Sequence, residues 1–308
     1  MKKNSVGIVI ATYDKRLELR ECLNHIFRSI WTPHKICIVD DGSTDGTWEM
    51  ILQEYPDVSR IRGDGNLWWA GATNKGIEFC LRNSCEYILL LNPDTLIRPD
   101  TISHLIKNSQ LYDNAITASI VVFHDNFNTM WWAGSKWGPL KSWFPIWCNR
   151  YLYKRGMKLN KLPEKPYHTD ESHGRGVLIP REIFRVNGLY DEIKFPQYGA
   201  DIDFSFRAKR AGFSIFVVPE AKVKLYTDST GMRTPKTFCK AIKGYWKYLI
   251  NRKNGEALRV WWDLLIRHAP FYAVLPSYIF IITLNTFRYW QRFFYKKKIS
   301  SYTKFDSN

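Results

Sequence analysis

Three acidic clusters carry the side chains best suited to chemistry: Asp40-Asp41, Asp94 and Asp201-Ile202-Asp203. Carboxylates hold hard cations such as Mg²⁺ and Mn²⁺, which are commonly shared between one or two carboxylates and substrate phosphates. Two adjacent carboxylates also satisfy a ligand that offers N–H and hydroxyl donors, as a pyrimidine and a ribose do. A carboxylate at a helix start acts as a general base if it reaches the proton it removes. Each cluster has a plainer reading beside this one. Asn92-Pro93-Asp94 is ordinary turn chemistry, Asp-Gly-Ser suits a strand-to-helix turn, and acids at a helix start answer its dipole.

The elements that must position these residues follow from hydrophobic patterning. Val6–Ala11 (VGIVIA), Ile36–Val39 (ICIV) and Tyr87–Leu91 (YILLL) are short apolar runs of the kind that form buried strands. Helical patterns cover Leu17–Ile30, Thr47–Gln53, with Ser43, Thr44 or Asp45 as candidate cap, and Ala72–Arg82. Val58–Arg62 reads as a further strand. Strand–helix alternation with short links predicts parallel βαβ units, in which ligands bind beyond the carboxyl ends of the strands. Asp40, Asp41 and Asp94 fall at those ends. Residues 115–165 hold Trp131, Trp132, Trp137, Trp143 and Trp147 with little periodicity and read as irregular strands and loop. Order returns with a strand at Gly174–Pro180, a short helix from Arg181, a helix near Asp201–Ala211 and a strand at Phe213–Val218.

Composition narrows the class. With 308 residues and 45% hydrophobic content, the chain can bury a core and is no candidate for disorder. Its net charge is +16, unevenly spread. Residues 240–308 hold 13 Lys or Arg against 3 Asp or Glu, a net of +10, which leaves +6 for the first 239. The six cysteines show no metal-binding spacing and read as free thiols in a reducing compartment. The N-terminal apolar stretch is only a strand long, which argues against a signal peptide and for a cytosolic body. Charge and aromatics raise nucleic-acid binding as a rival class, but acidic strand ends repel phosphate unless a cation intervenes, so no nucleic-acid partner is expected.

The order and surroundings of the clusters resemble the inverting glycosyltransferase family 2, of the GT-A fold. VGIVIATYDKR is similar to that family's first strand and nucleotide-binding turn, which implies donor contacts at Ala11, Thr12 and Tyr13. VDDGSTDGT resembles its DDGS motif, with Asp41 in the place of the acid that contacts the pyrimidine. LLLNPDT resembles its DxD motif in a variant with Asn92 first, and implies that Asp94 binds the cation. The segment from Gly174 to Phe213 resembles the acceptor region, with Asp201 matching the base. GDGNLWWAGATNKGIE and YWKYLINRKNG resemble segments of a bacterial branch that includes rhamnosyltransferases of surface polysaccharides. Asn66, Trp69 and Asn74 fall in the first of these as donor candidates. Trp132, His173, Gly174, Arg175 and Asp203 are acceptor candidates, with core packing the competing reading for the tryptophans.

Three departures qualify the resemblance. Ala200 stands where the family has an acid, so the box reads ADID. No His follows the sheet as a metal or phosphate ligand, leaving Lys224 or Asp228 as substitutes. The first DxD acid is Asn92. A catalytically impaired homologue or assembly scaffold is the alternative these departures raise. The reaction implied is otherwise a single displacement with inversion. Asp201 takes the acceptor hydroxyl proton, and a Mg²⁺ or Mn²⁺ on Asp94 offsets the charge of the departing diphosphate.

The expected architecture is thus an α/β GT-A domain over residues 1–239, Rossmann-like with a mostly parallel sheet flanked by helices. Its nucleotide-sugar half is 1–115 and its acceptor half 116–239. A basic, aromatic, helical tail follows at 240–308. Ala269–Phe287 has no charged residue but contains Pro270 and Pro276. Lying beside aromatics and Lys296-Lys297-Lys298, it reads as an interfacial anchor rather than a span of about 20 apolar residues. The expected partners are a nucleotide-sugar donor, a glycan or lipid-linked glycan acceptor and an anionic membrane surface at the inner face of the cell membrane. A homo-oligomer is compatible with this reading.

Overall fold

The computed structural model describes residues 4–140, 144–226, 238–251 and 257–302. Trp143 and Asp228 lie outside the described residues. The chain divides into two compact units, one of residues 1–136, 149–196 and 200–229, the other of 137–148, 197–199 and 230–308.

The first unit is built on a ten-stranded sheet. Strands β1 (Val6–Thr12), β2 (Lys35–Asp40), β3 (Ser59–Arg62) and β4 (Tyr87–Leu91) lie side by side in the order β4-β1-β2-β3, all parallel. Every residue of β1 and β4 is buried, as their unbroken apolar runs require of strands covered on both faces. Helices α1 (Arg16–Phe27), α2 (Thr47–Glu54) and α3 (Trp68–Arg82) follow the first three strands. Gly76 lets α3 lie close on the sheet, since a Cβ there would stand 2.3 Å from Cγ1 of Val9. The N-cap of α2 is Gly46, in the left-handed conformation with φ 83°, and not one of the three expected polar residues. Asp45 still accepts the Thr47 backbone N–H at 3.1 Å. Helix α3 starts at Trp68, four residues before the expected Ala72.

The sheet continues through β5 (Thr95–Ile97), β6 (Ile116–Phe123) and β7 (Met130–Trp132), with α4 (Thr101–Leu111) after β5. Strands β8 (Ser135–Pro139) and β9 (Trp147–Tyr151) form a separate pair. Then come β10 (Tyr167–His168), β11 (Val177–Pro180), α5 (Arg181–Asn187), α6 (Ala200–Arg210) and β12 (Ile215–Leu225). Here the structure corrects the parallel expectation. Strand β11 runs antiparallel between β4 and β6, and β5, β7 and β10 also pair antiparallel. Four strand pairs of the main sheet are parallel and five antiparallel, so the sheet is mixed rather than mostly parallel.

The second unit holds α7 (Phe238–Ile250), α8 (Leu258–His268) and α9 (Phe271–Tyr302). Tyr248, Leu249 and Tyr289 form a buried centre flanked by Tyr245, Leu258 and Trp290. Trp137 packs on Trp147 and Trp261 at 4.7 and 6.2 Å between ring centroids. The Trp147 backbone N–H donates to Ser277 Oγ on α9 at 2.8 Å. Pro276 sits inside α9, and among the described residues no helix is long and apolar enough to cross a membrane.

Candidate active site

The acidic groups fall where parallel strands end. Thr12 closes β1 and is the register partner of Asp40, which closes β2. Asp40 is fully buried; its Oδ1 accepts from the Ser43 backbone N–H at 3.0 Å and from the Ser43 hydroxyl. Its Oδ2 and the Oγ1 of Thr12 are both buried without a hydrogen-bond partner. Orphaned buried polar atoms are costly, and a pair of them at adjacent strand ends suits a ligand with complementary donors and acceptors.

Asp41, expected to meet a ligand, holds backbone in this structure. Its Oδ1 accepts from the backbone N–H groups of Gly65 and Leu67 at 3.0 and 3.2 Å, and its Oδ2 from that of Trp68 at 2.8 Å. The carboxylate thus clamps the turn that starts α3. Gly63 makes room for it, because a Cβ there would lie 2.5 Å from Asp41 Oδ1. Trp68 is held at φ 56°, a conformation that bulky residues rarely adopt and that persists only where neighbours enforce it. Nothing in the sequence distinguished the clamp from a ligand contact, since both use a carboxylate after β2.

The clamp aims Trp69. Its Nε1 donates to Asn92 Oδ1 at 3.0 Å, and its ring meets Tyr190 edge-on at 5.3 Å. Gly174 abuts the same indole, since a Cβ there would lie 2.4 Å from Cζ2. So Asn92, the first residue of the DxD-like motif, serves to hold Trp69. Asn74 is also committed to structure: it donates to Tyr190 C=O at 2.9 Å and Glu192 at 2.7 Å, and accepts the Tyr190 N–H at 3.0 Å. These bonds tie α3 to the 190–192 loop. Asn66 is exposed on the clamped turn and Tyr13 on the loop after β1, while Ala11 is buried within β1.

Asp94 is buried in the turn after β4, with Thr95 Oγ1 at 3.5 Å from its Oδ1. Tyr226 N–H donates to its C=O at 3.3 Å, which brings the end of β12 to this turn. Among the described residues no three His, Cys, Asp or Glu converge as a metal cage. One carboxylate is the donor set typical of a Mg²⁺ or Mn²⁺ that arrives with a diphosphate, so the residues fit that kind of cation. Lys224, named above as a substitute ligand, places its Nζ over the Phe127 ring at 3.8 Å.

Asp201 stands in the first turn of α6 with its side chain 23% exposed. Its Oδ2 lies 3.1 Å from His173 Nδ1, and its Oδ1 accepts the Ile202 N–H at 2.9 Å. His173 Nε2 faces the fully buried Glu171 at 3.8 Å, and Asn149 donates to that carboxylate at 2.8 Å. Trp132, buried on β7, packs edge-on to the His173 ring at 4.7 Å and donates its Nε1 to Ser135 Oγ at 3.1 Å. Trp132 therefore supports His173. Asp203, the other acceptor candidate of this segment, makes an ion pair. It is fully buried and receives Arg207 Nε at 2.8 Å, while Arg207 also donates to the carbonyls of Asn187 and Leu189. The i,i+4 spacing of Asp203 and Arg207 was the sequence signal for this pair. Glu171 carried no such signal. It follows Asp170 in a loop and is brought to His173 by the fold.

A family model described as glycosyl transferase family 2 matches residues 7–185, more than half of the chain. The chain belongs to glycosyl transferase family 2. The matched segment ends before Asp201, whose place beside His173 rests on the geometry alone. This family 2 glycosyltransferase is 23% identical over 274 residues to an N-acetylglucosaminyl-diphospho-decaprenol L-rhamnosyltransferase of Mycobacterium tuberculosis, covering 84% of this chain and 87% of the relative. It is 23% identical over 310 residues to the dTDP-rhamnosyl transferase RfbF of Shigella flexneri, covering 94% and 93%. A mannosyltransferase from Pyrobaculum calidifontis, solved with GDP-mannose and Mn²⁺, matches with a TM-score of 0.51 at 16% identity, covering 90% of this chain and 69% of that one. GalNAc-T7, solved with UDP, GalNAc and Mn²⁺, matches with a TM-score of 0.57 at 18% identity. The match covers 76% of this chain but only 45% of that structure. At these identities the two structures establish the shared fold.

Proposed function

We propose that this glycosyltransferase moves a sugar from a nucleoside-diphosphate donor to a hydroxyl of a lipid-linked cell-surface glycan precursor, with inversion. The observation that carries the reading is the His173–Asp201 contact of 3.1 Å, which offers a partly exposed carboxylate held in one orientation at the start of α6. Asp201 is the base: it takes the hydroxyl proton as that oxygen attacks the anomeric carbon from the face opposite the nucleotide. His173 and Glu171 fix its direction. The unpartnered Thr12 and Asp40 atoms receive the nucleoside, within the turn clamped by Asp41. Trp69, braced by Asn92 and Gly174, borders the donor sugar, since aromatic faces pack on apolar sugar faces. Asp94 would hold the Mg²⁺ or Mn²⁺, whose contribution is to neutralise the departing diphosphate.

Two relatives named as rhamnosyltransferases favour dTDP-L-rhamnose as donor, with UDP-hexoses next. The second unit supports placement at the inner face of the membrane. Along α7, Phe238, Ile242, Trp246 and Ile250 are all exposed at four-residue spacing, with Lys240, Lys243 and Lys247 between them. An apolar stripe beside cations suits an anionic lipid interface, each cation contributing about 1 kcal/mol. A thermal-shift panel of nucleotides and sugar nucleotides tests the donor assignment, because a ligand that binds only the folded state raises the Tm. The expected result is the largest rise with dTDP-rhamnose and Mn²⁺. A panel with no rise for any nucleoside diphosphate defeats the reading.

A further inference from the structure

Trp131 is the neighbour of Trp132 on β7, and unlike it is only half-buried. Two guanidiniums lean on its indole: Cζ of Arg155 lies 4.3 Å from the ring centroid, and Cζ of Arg175 lies 5.3 Å away. Arg155 Nε also donates to the Trp131 carbonyl at 3.3 Å. Among the described residues, neither arginine has a carboxylate within ion-pair distance, although both stand near the His173–Asp201 site. The Nε of Arg175 is buried and has no hydrogen-bond partner. The surrounding chain adds positive charge, since residues 150–161 contain five Lys or Arg and no acid.

Two like charges gathered on one aromatic ring repel each other, and a buried guanidinium N–H without an acceptor is costly. An anion reached by both guanidiniums would offset both costs. The indole takes up neither guanidinium's terminal N–H groups, and a guanidinium grips a phosphate through such groups; only Nε of Arg155 is spent, on the Trp131 carbonyl. The distance to the chemistry is short. The Trp131 ring lies 6.5 Å from the His173 ring, and the Arg175 N–H donates to the His173 carbonyl at 2.7 Å, so Arg175 and His173 move as one turn.

We infer that Arg155, Arg175 and Trp131 form a site for the phosphate or diphosphate of a glycosyl-diphosphate acceptor, seating its sugar hydroxyl at Asp201. The inference deepens the proposed function and rests on it. It names the charged group by which an acceptor is told from a neutral glycan. Asp201 and Glu171 both contact the His173 imidazole, and their negative charge favours a phosphate at the arginines over one at the base.

The test is a calorimetric titration of the full chain with inorganic pyrophosphate in EDTA and low salt, with and without saturating donor nucleotide. The expected result is one pyrophosphate site that persists with nucleotide bound. Arg155→Gln and Arg175→Gln should each weaken it by about tenfold or more, with nucleotide affinity moved by less than about twofold. Arg155 is exposed, so its variant should fold even where that of Arg175 does not. Pyrophosphate excluded by nucleotide would assign the arginines to the donor's diphosphate and overturn the inference. Unchanged affinity in the Arg155 variant would overturn it as well. A lipid headgroup is the other source of phosphate. If phosphatidylglycerol vesicles displaced pyrophosphate, and the variants lost vesicle binding, the site would belong to the membrane and the acceptor reading would fall. Should no nucleotide bind at all, the proposed function fails by itself, and the titration without nucleotide still decides the arginine site.

Discussion

Nδ1 of His173 and Oδ2 of Asp201 lie 3.1 Å apart, joining the loop before β11 to the first turn of α6. Glu171 stands 3.8 Å from the other ring nitrogen, so the imidazole is held between two carboxylates. In the proposed reaction, a carboxylate aimed in this way need not be reoriented when substrate arrives.

His173→Ala should therefore lower kcat by about tenfold to a hundredfold, a share of what general base catalysis contributes, while the KM for donor changes little. His173→Asn should recover part of the loss by donating to Asp201. Steady-state kinetics with varied donor check this, and a variant with a raised donor KM and normal kcat would place His173 in donor binding instead.

Gly174→Ala should cost activity out of proportion to its size. The added Cβ would stand 2.4 Å from Trp69 Cζ2, forcing the indole off Asn92. Trp69→Phe removes the same hydrogen bond without the clash and should be milder. Relative kcat/KM of the two variants, at matched circular dichroism, reads the difference.

Arg207→Ala should destabilise the fold by about 3–5 kcal/mol, because it leaves Asp203 buried without its cation. Asp203→Asn should be destabilised as well, yet bind nucleotide once folded. Denaturant unfolding, followed by nucleotide titration of the folded variants, checks both. A fully stable Arg207→Ala would mean that the ion pair contributes little to the fold.

The strand ends were legible because β1, β2 and β4 are apolar runs bounded by acids, a local pattern. The antiparallel course of β11 was not. Val177–Pro180 is buried throughout, and a strand covered on both faces carries no mark of its direction. The backbone clamp made by Asp41 was also hidden, since a carboxylate that holds backbone looks in sequence like one that meets a ligand. Arg155 and Trp131 are 24 positions apart, and only the closing of the 150–158 segment on β7 brings them together.

High salt should release only part of the protein from anionic vesicles, and detergent should release all of it. Charge between surface and lipid is screened over about 8–10 Å at physiological ionic strength, whereas the exposed Phe238, Ile242, Trp246 and Ile250 stripe is held by apolar contact. Co-sedimentation checks this. Protein left in the supernatant with anionic vesicles at low salt would remove the membrane from the account.

The central claim is that Asp201 is the base, and Asp201→Asn tests it most directly. Asparagine keeps the shape and the contact to His173 but cannot take a proton at neutral pH. The account predicts that this variant binds donor nucleotide as the wild type does, and that transfer to acceptor falls by about a hundredfold or more. Transfer at near wild-type rate in a folded Asp201→Asn protein would contradict it.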